Sequence, residues 1–137
     1  MQPILLDTCA VIWLSEDQPI KAEATALLNA AHTQGALTYI SSITAWEIGL
    51  LASRERLKLL ITPQKWFARL FDSPGVTLAN LSPELLIASS FLPGKPPRDP
   101  ADRIISATAR DLGATLMTRD SALLNYAKQG HLNVVAC

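Results

Sequence analysis

The sequence predicts an α/β domain in which helices cover both faces of a mostly parallel sheet of about five strands. Short apolar runs alternate with longer helical patterns along the whole chain. Each run is apolar at successive rather than alternate positions, as strands buried on both faces require. With 137 residues, 49% of them hydrophobic, the chain can bury a core without disulfides or a structural metal. It reads as one domain over residues 1–137.

The strand candidates are Ile4–Leu6, Leu37–Ile40, Val76–Ala79, Thr115–Thr118 and Asn133–Ala136. Helices are predicted over Lys21–Thr33, Thr44–Ala52, Pro63–Phe71, Pro83–Phe91, Pro100–Leu112 and Ser121–Gln129. The first strand, "ILL", runs directly into Asp7. The second leads by a short turn into "TAWE", where Thr44 and Glu47 have the spacing of a capping box. Thr62 and Ser82 each stand before a proline, as neutral hydroxyl caps for the next two helices. In "RDPADR", Asp99 reads as an N-cap and Pro100 as the first helical residue, which puts Asp102 in the first turn. That helix has the clearest apolar stripe, through Ala101, Ile104, Ile105, Thr108, Ala109 and Leu112. Finally "TLMT" passes through Arg119 and Asp120 into the last helix.

Composition excludes several classes. Formal net charge is zero, so no global field attracts nucleic acid and any basic surface must be local. Cys9 and Cys137 lie far apart in sequence and are expected to be reduced thiols of an intracellular protein. His32 and His131 have no cysteine nearby, so no zinc-type spacing exists. The opening stretch "MQPILLDTCAVIWL" lacks a basic leader and is interrupted by Asp7, unlike a signal peptide. No apolar run approaches the roughly 18 residues that span a bilayer. A soluble, cytoplasmic protein is expected.

Asp7, Glu47, Asp102 and Asp120 all fall at strand-to-helix junctions. In a parallel sheet such junctions share one edge, where sites of α/β proteins form. Taken singly, each acid fits a helix cap. Taken together they fit a site better, because the helices at Thr62 and Ser82 use neutral hydroxyl caps ahead of proline. Convergent carboxylates repel and raise one another's pKa unless a cation intervenes. Without histidine or thiolate beside them, they suit a hard ion, Mg2+ or Mn2+, which would orient a phosphodiester and supply hydroxide. Arg98, Arg103 and Arg119 flank the acids as candidate phosphate contacts, or else as surface ion pairs. Thr8 and Thr118 adjoin strand-end acids, where their hydroxyls could orient a carboxylate. Trp46 is expected to pack its helix onto the sheet, and Trp13 and Trp66 to serve the core or a subunit interface.

"ILLDTCAVIWL", "SSITAWEIGLL", "RDPADRIISATA" and "TLMTRDSALL" resemble the successive motifs of PIN domains, in order and over nearly the whole chain. The resemblance is closest to the VapC-like bacterial toxins that carry a WEI and a DPxDR motif. It implies a three-layer α/β/α fold and a Mg2+- or Mn2+-dependent endoribonuclease. It also implies a type II toxin whose partner is a small antitoxin, with homodimers common among relatives. Asp7, Glu47, Asp102 and Asp120 match the family's acids, whereas Asp99 matches an additional one read as a cap or a residue behind the ligands. The chain departs from relatives at Pro97, where a histidine is often found, and at Ala101, where an aromatic often stands.

Other classes predict other features. A non-cleaving PIN-like module that binds RNA or protein would be expected to have lost an acid, yet all four are present. A phosphotransfer domain with Asp7 as acceptor would need a second acid close by in sequence and a well-placed lysine, and "LLDTCAV" lacks those acids.

Overall fold

A computed structural model describes residues 1–137. The strands are β1 (Ile4–Leu6), β2 (Thr38–Ser41), β3 (Val76–Ala79), β4 (Thr115–Thr118) and β5 (Val134–Ala136). The helices are α1 (Thr8–Ser15), α2 (Ala22–Gln34), α3 (Ser42–Ser53), α4 (Pro63–Arg69), α5 (Pro83–Ala88), α6 (Pro100–Leu112) and α7 (Ser121–Lys128). All five strands pair in parallel, in the order β3-β2-β1-β4-β5. The chain therefore starts in the middle of the sheet. It builds outward to one side through β2 and β3, then to the other through β4 and β5. The direction reverses between β1 and β4, where Leu5 pairs with Leu116. A crevice at the carboxyl ends of these two strands is the switch point of the fold.

Successive side chains of a strand point to opposite faces, and the sheet carries a separate core on each. On one face Ile4, Leu6, Ile40 and Met117 pack with Val11 of α1, Ala24 and Ala31 of α2, and Phe67 of α4. On the other, Leu5 and Leu116 pack with Ile43 of α3, Ile105 of α6, and Leu123 and Tyr126 of α7. The result is three layers, helices on sheet on helices. Burial on both faces explains why the central strand β1 reads as an unbroken apolar run.

The α6 helix matches its predicted limits, Pro100–Leu112, and ends on Gly113 in the left-handed conformation (φ 59°). Several expectations are corrected. The α1 helix had no counterpart among the predicted helices, because its apolar residues run all round and carry no 3.6-residue stripe. The α3 helix starts at Ser42, capped by Ser41, whose Oγ accepts from Ile43 N–H; the predicted Thr44–Glu47 box does not start it. The stretch predicted as one helix over Pro63–Phe71 ends as α4 at Arg69 and tightens into a 3-10 turn at Leu70–Asp72. The α5 helix stops at Ala88 rather than Phe91, where the Ser89 hydroxyl donates to Leu86 O. Trp46 does not pack onto the sheet: 57% of its surface is exposed. It lies on the solvent side of α3, next to Glu47 but turned away from Ile43, Thr44 and Ile48, which are buried.

Candidate active site

The junction after β1 supplies the first acid. Asp7 N–H still donates to Met117 O, as a strand residue would, while its side chain caps α1 by accepting Thr8 N–H at 2.8 Å. One residue thus ends the strand and starts the helix, which draws its carboxyl into the interior; Asp7 is only 6% exposed. Its other oxygen accepts the Thr118 hydroxyl at 2.7 Å and the Cys9 thiol at 3.5 Å. Burial raises the Asp7 pKa above the ordinary carboxylate value, the bonds from Thr118, Thr8 and Cys9 partly offset this, and the charge of Asp120 adds to the rise.

The junction after β4 supplies a second acid. Thr118, wholly buried at the end of β4, donates to Asp7 and accepts Asp120 N–H at 3.0 Å. Asp120 in turn caps α7, its Oδ2 accepting Leu123 N–H at 3.0 Å. The helix-cap reading holds for three of these acids: Asp7, Asp99 and Asp120 each cap the helix that follows.

Glu47 arrives from α3. Its Oε1 accepts the Thr8 hydroxyl at 2.7 Å, and Thr8 Oγ1 lies 3.0 Å from Thr44 Oγ1. Burial raises the Glu47 pKa most, the Thr8 bond lowers it, and the charges of Asp7 and Asp99 raise it again. Asp102 arrives from the first turn of α6, its N–H bonded to Asp99 Oδ2 at 3.0 Å. Burial, then the charges of Asp120, Asp99, Asp7 and Glu47, push its pKa up to about 7 from 3.8. Acids from three other segments of the chain, together with its local neighbour Asp99, therefore act on this carboxyl. The sheet brings together Asp7, Glu47, Asp102 and Asp120, with Asp99 at the border.

As the side chains stand, no three of these acids close into a ready-made cage around an ion. The donor set nevertheless fits a hard cation. It offers carboxylates and hydroxyls alone, because burial first, with the Asp7 charge, pushes the Cys9 thiol up to about 12 and keeps it protonated. A divalent cation would also offset the burial and the mutual repulsion that together raise the acid pKa values.

The arginines separate. Arg119 lays its guanidinium over the Trp13 ring, 4.0 Å from the centroid, and donates to Cys137 O at 2.6 Å. Arg103 donates from Nε to Pro97 O at 2.6 Å. Both are thus engaged by the chain itself, while Arg98 is exposed. Trp13 is the platform for Arg119, and Trp66 is partly buried against the α1–α2–α4 core. Sequence reasoning placed Thr8 and Thr118 correctly beside carboxylates. It missed Thr44 and Cys9; the signal for Thr44 was its position three residues before Glu47, on the same face of a helix.

The chain matches the PIN domain family over residues 4–129. It is 31% identical over 127 residues to ribonuclease VapC22 of Mycobacterium tuberculosis, covering 92% of this chain and 93% of that one. Among solved structures it resembles VapBC2 of Rickettsia felis bound to a promoter DNA fragment, with a TM-score of 0.67, 14% identity and 98% of each chain covered. It also resembles FitAcB of Neisseria gonorrhoeae, with a TM-score of 0.58, 23% identity and coverage of 96% of this chain and 95% of that one. These two likenesses carry the fold alone. The family match and the VapC22 relative carry the assignment: the chain belongs to the PIN domain family.

Proposed function

We propose that this protein is an endoribonuclease dependent on Mg2+ or Mn2+ and the toxin of a type II toxin–antitoxin pair. The observation that carries the reading is the linkage of Asp7 to Asp120 through Thr118 and to Glu47 through Thr8 at the carboxyl edge of the sheet, with Asp102 at the start of α6. The VapC22 relative, named a ribonuclease, supports RNA as substrate. The solved VapBC2 and FitAB assemblies support a small partner protein, and homodimerisation and a cytoplasmic location belong to the same reading. No helix is long and apolar enough to cross a membrane.

Asp7, Glu47, Asp102 and Asp120 would hold the cation. When bound, it would supply Lewis acidity for hydrolysis of a phosphodiester by water. The protein's own part is orientation. Thr118 and Thr8 N–H fix both oxygens of Asp7, and Thr8 fixes one oxygen of Glu47. Asp102 sits at the N-terminus of α6, whose dipole favours its charged form. Arg98 meets a phosphate of the RNA from its exposed loop. Arg103 and Arg119, which follow Asp102 and precede Asp120 in sequence, hold the Pro97 and Cys137 carbonyls.

Purified protein is expected to cleave RNA with added Mg2+ or Mn2+, and to lose that activity in EDTA or as Asp7→Asn or Asp102→Asn. Activity that survives EDTA, or equal activity in the variants, overturns the reading.

A further inference from the structure

The hydroxyl of Thr44 is wholly buried, on the inner side of α3, and does not touch any acid. Its neighbour is Thr8 Oγ1, at 3.0 Å, and Thr8 Oγ1 lies 2.7 Å from Glu47 Oε1. A threonine hydroxyl has a single proton. Thr8 places that proton on the Glu47 carboxylate, so the proton of the Thr8–Thr44 bond comes from Thr44. The three groups form a one-way chain, from Thr44 O–H to Thr8 O–H to Glu47.

The other side of the site has the same construction. Asp120 N–H donates to Thr118 Oγ1, and Thr118 donates to Asp7 Oδ2. In both chains a buried hydroxyl that donates to a carboxylate is itself held by a second donor. A hydroxyl in that position is polarised by its own donor and cannot rotate its proton elsewhere. On the Asp7 side the second donor is backbone, which only proline would remove. On the Glu47 side it is a side chain, Thr44, which can be deleted cleanly.

We infer that Thr44 is a positioning residue for the divalent cation, acting on Glu47 only through the Thr8 hydroxyl. The inference rests on the metal-dependent reading of the site and extends it to a residue that touches neither metal nor RNA. Thr44 fixes the Thr8 proton, and that proton fixes Glu47 Oε1, so the carboxylate that would hold the cation is kept in one orientation.

The test is Mn2+ binding alone, by calorimetry, without RNA. Thr44→Val keeps the shape and removes the donor, and is expected to weaken Mn2+ binding about three- to tenfold, the size of one modest hydrogen bond. Thr44→Ser keeps the donor and is expected to bind within about twofold of the parent. Thr8→Val should weaken binding at least as much as Thr44→Val. Adding Thr44→Val to it should change nothing further, because the route from Thr44 is already cut. A purely structural role for Thr44 predicts instead that the two effects add, and that outcome overturns the inference. So does equal Mn2+ binding by the parent and Thr44→Val. If the parent binds no Mn2+, the metal reading falls and this inference falls with it.

Discussion

Thr118 Oγ1 donates to Asp7 Oδ2 at 2.7 Å, across 111 residues of sequence and at the point where the strand order reverses. The bond joins the ends of β1 and β4, and the same oxygen accepts Asp120 N–H. A single hydroxyl thus sets the relation between two acids that each cap a different helix.

Thr118→Val should therefore be costly for both fold and site. It strands the Asp120 N–H and removes a donor from a buried carboxyl, and a buried group left unpaired costs about 1–3 kcal/mol. Thr118→Ser should recover most of this, since the proton and oxygen are retained. Chemical denaturation checks the stability, and RNA cleavage under saturating metal checks the site. A Thr118→Val protein as stable as the parent would show that Asp7 is held mainly by Thr8 N–H.

The pH dependence follows from Asp102. Its pKa is about 7 in the folded protein against 3.8 as the ordinary value, so the folded state binds the proton more tightly. Stability from this group is fully present below about 4 and is lost as pH rises through about 7. Asp7 and Glu47 shift in the same direction, so they act with the same sign. In EDTA, the melting temperature should fall from pH 5 to pH 8, and Asp102→Asn should fall less. Asp102→Asn should be more stable than the parent at pH 8, where the parent holds an extra like charge. A melting temperature that rises over this range without metal contradicts the repulsion described for the site.

Arg119 should matter through Trp13 rather than through RNA. Its guanidinium rests on the Trp13 ring and donates to the last carbonyl of the chain, tying α1 to the end of β5. Arg119→Lys keeps the charge but loses the flat stacking surface and the fork of donors. Both Arg119→Lys and Arg119→Ala should lower stability, by about 1 kcal/mol or more for a desolvated cation–π contact. Arg98→Ala should leave stability unchanged and weaken RNA binding. Equal stability losses at the two positions, or none at Arg119, would contradict this division of roles.

Much of this was legible in the sequence, for physical reasons that also explain the failures. The strands stood out because burial on both faces favours apolar side chains at successive positions, as at Ile4, Leu5 and Leu6. The α6 limits were clear because Asp99, Pro100 and Gly113 mark both ends. The α1 helix was hidden because a short, all-apolar helix such as "TCAVIWL" has no periodicity to detect. Trp46 was misplaced because an aromatic beside buried Ile48 reads as core, and only the rotation of α3 shows that it faces out. The placement of Asp7 and Asp120 at the ends of β1 and β4 was legible because a parallel sheet gathers its strand ends at one edge. The arginines were not resolved, since flanking an acid in sequence does not say which way a long side chain turns. Arg119 turns to Trp13 and Arg103 to Pro97.

The central claim is that Asp7, Glu47, Asp102 and Asp120 form one divalent-cation site, and thermal unfolding with and without Mn2+ tests it most directly. A ligand at 100 times its dissociation constant stabilises the folded state by about 2.7 kcal/mol. Saturating Mn2+ should therefore raise the melting temperature of the parent at pH 7.5 by several degrees. The same addition should have little effect on Asp7→Asn or Asp102→Asn. No rise in the parent, or an equal rise in all three proteins, would contradict a shared site at these acids.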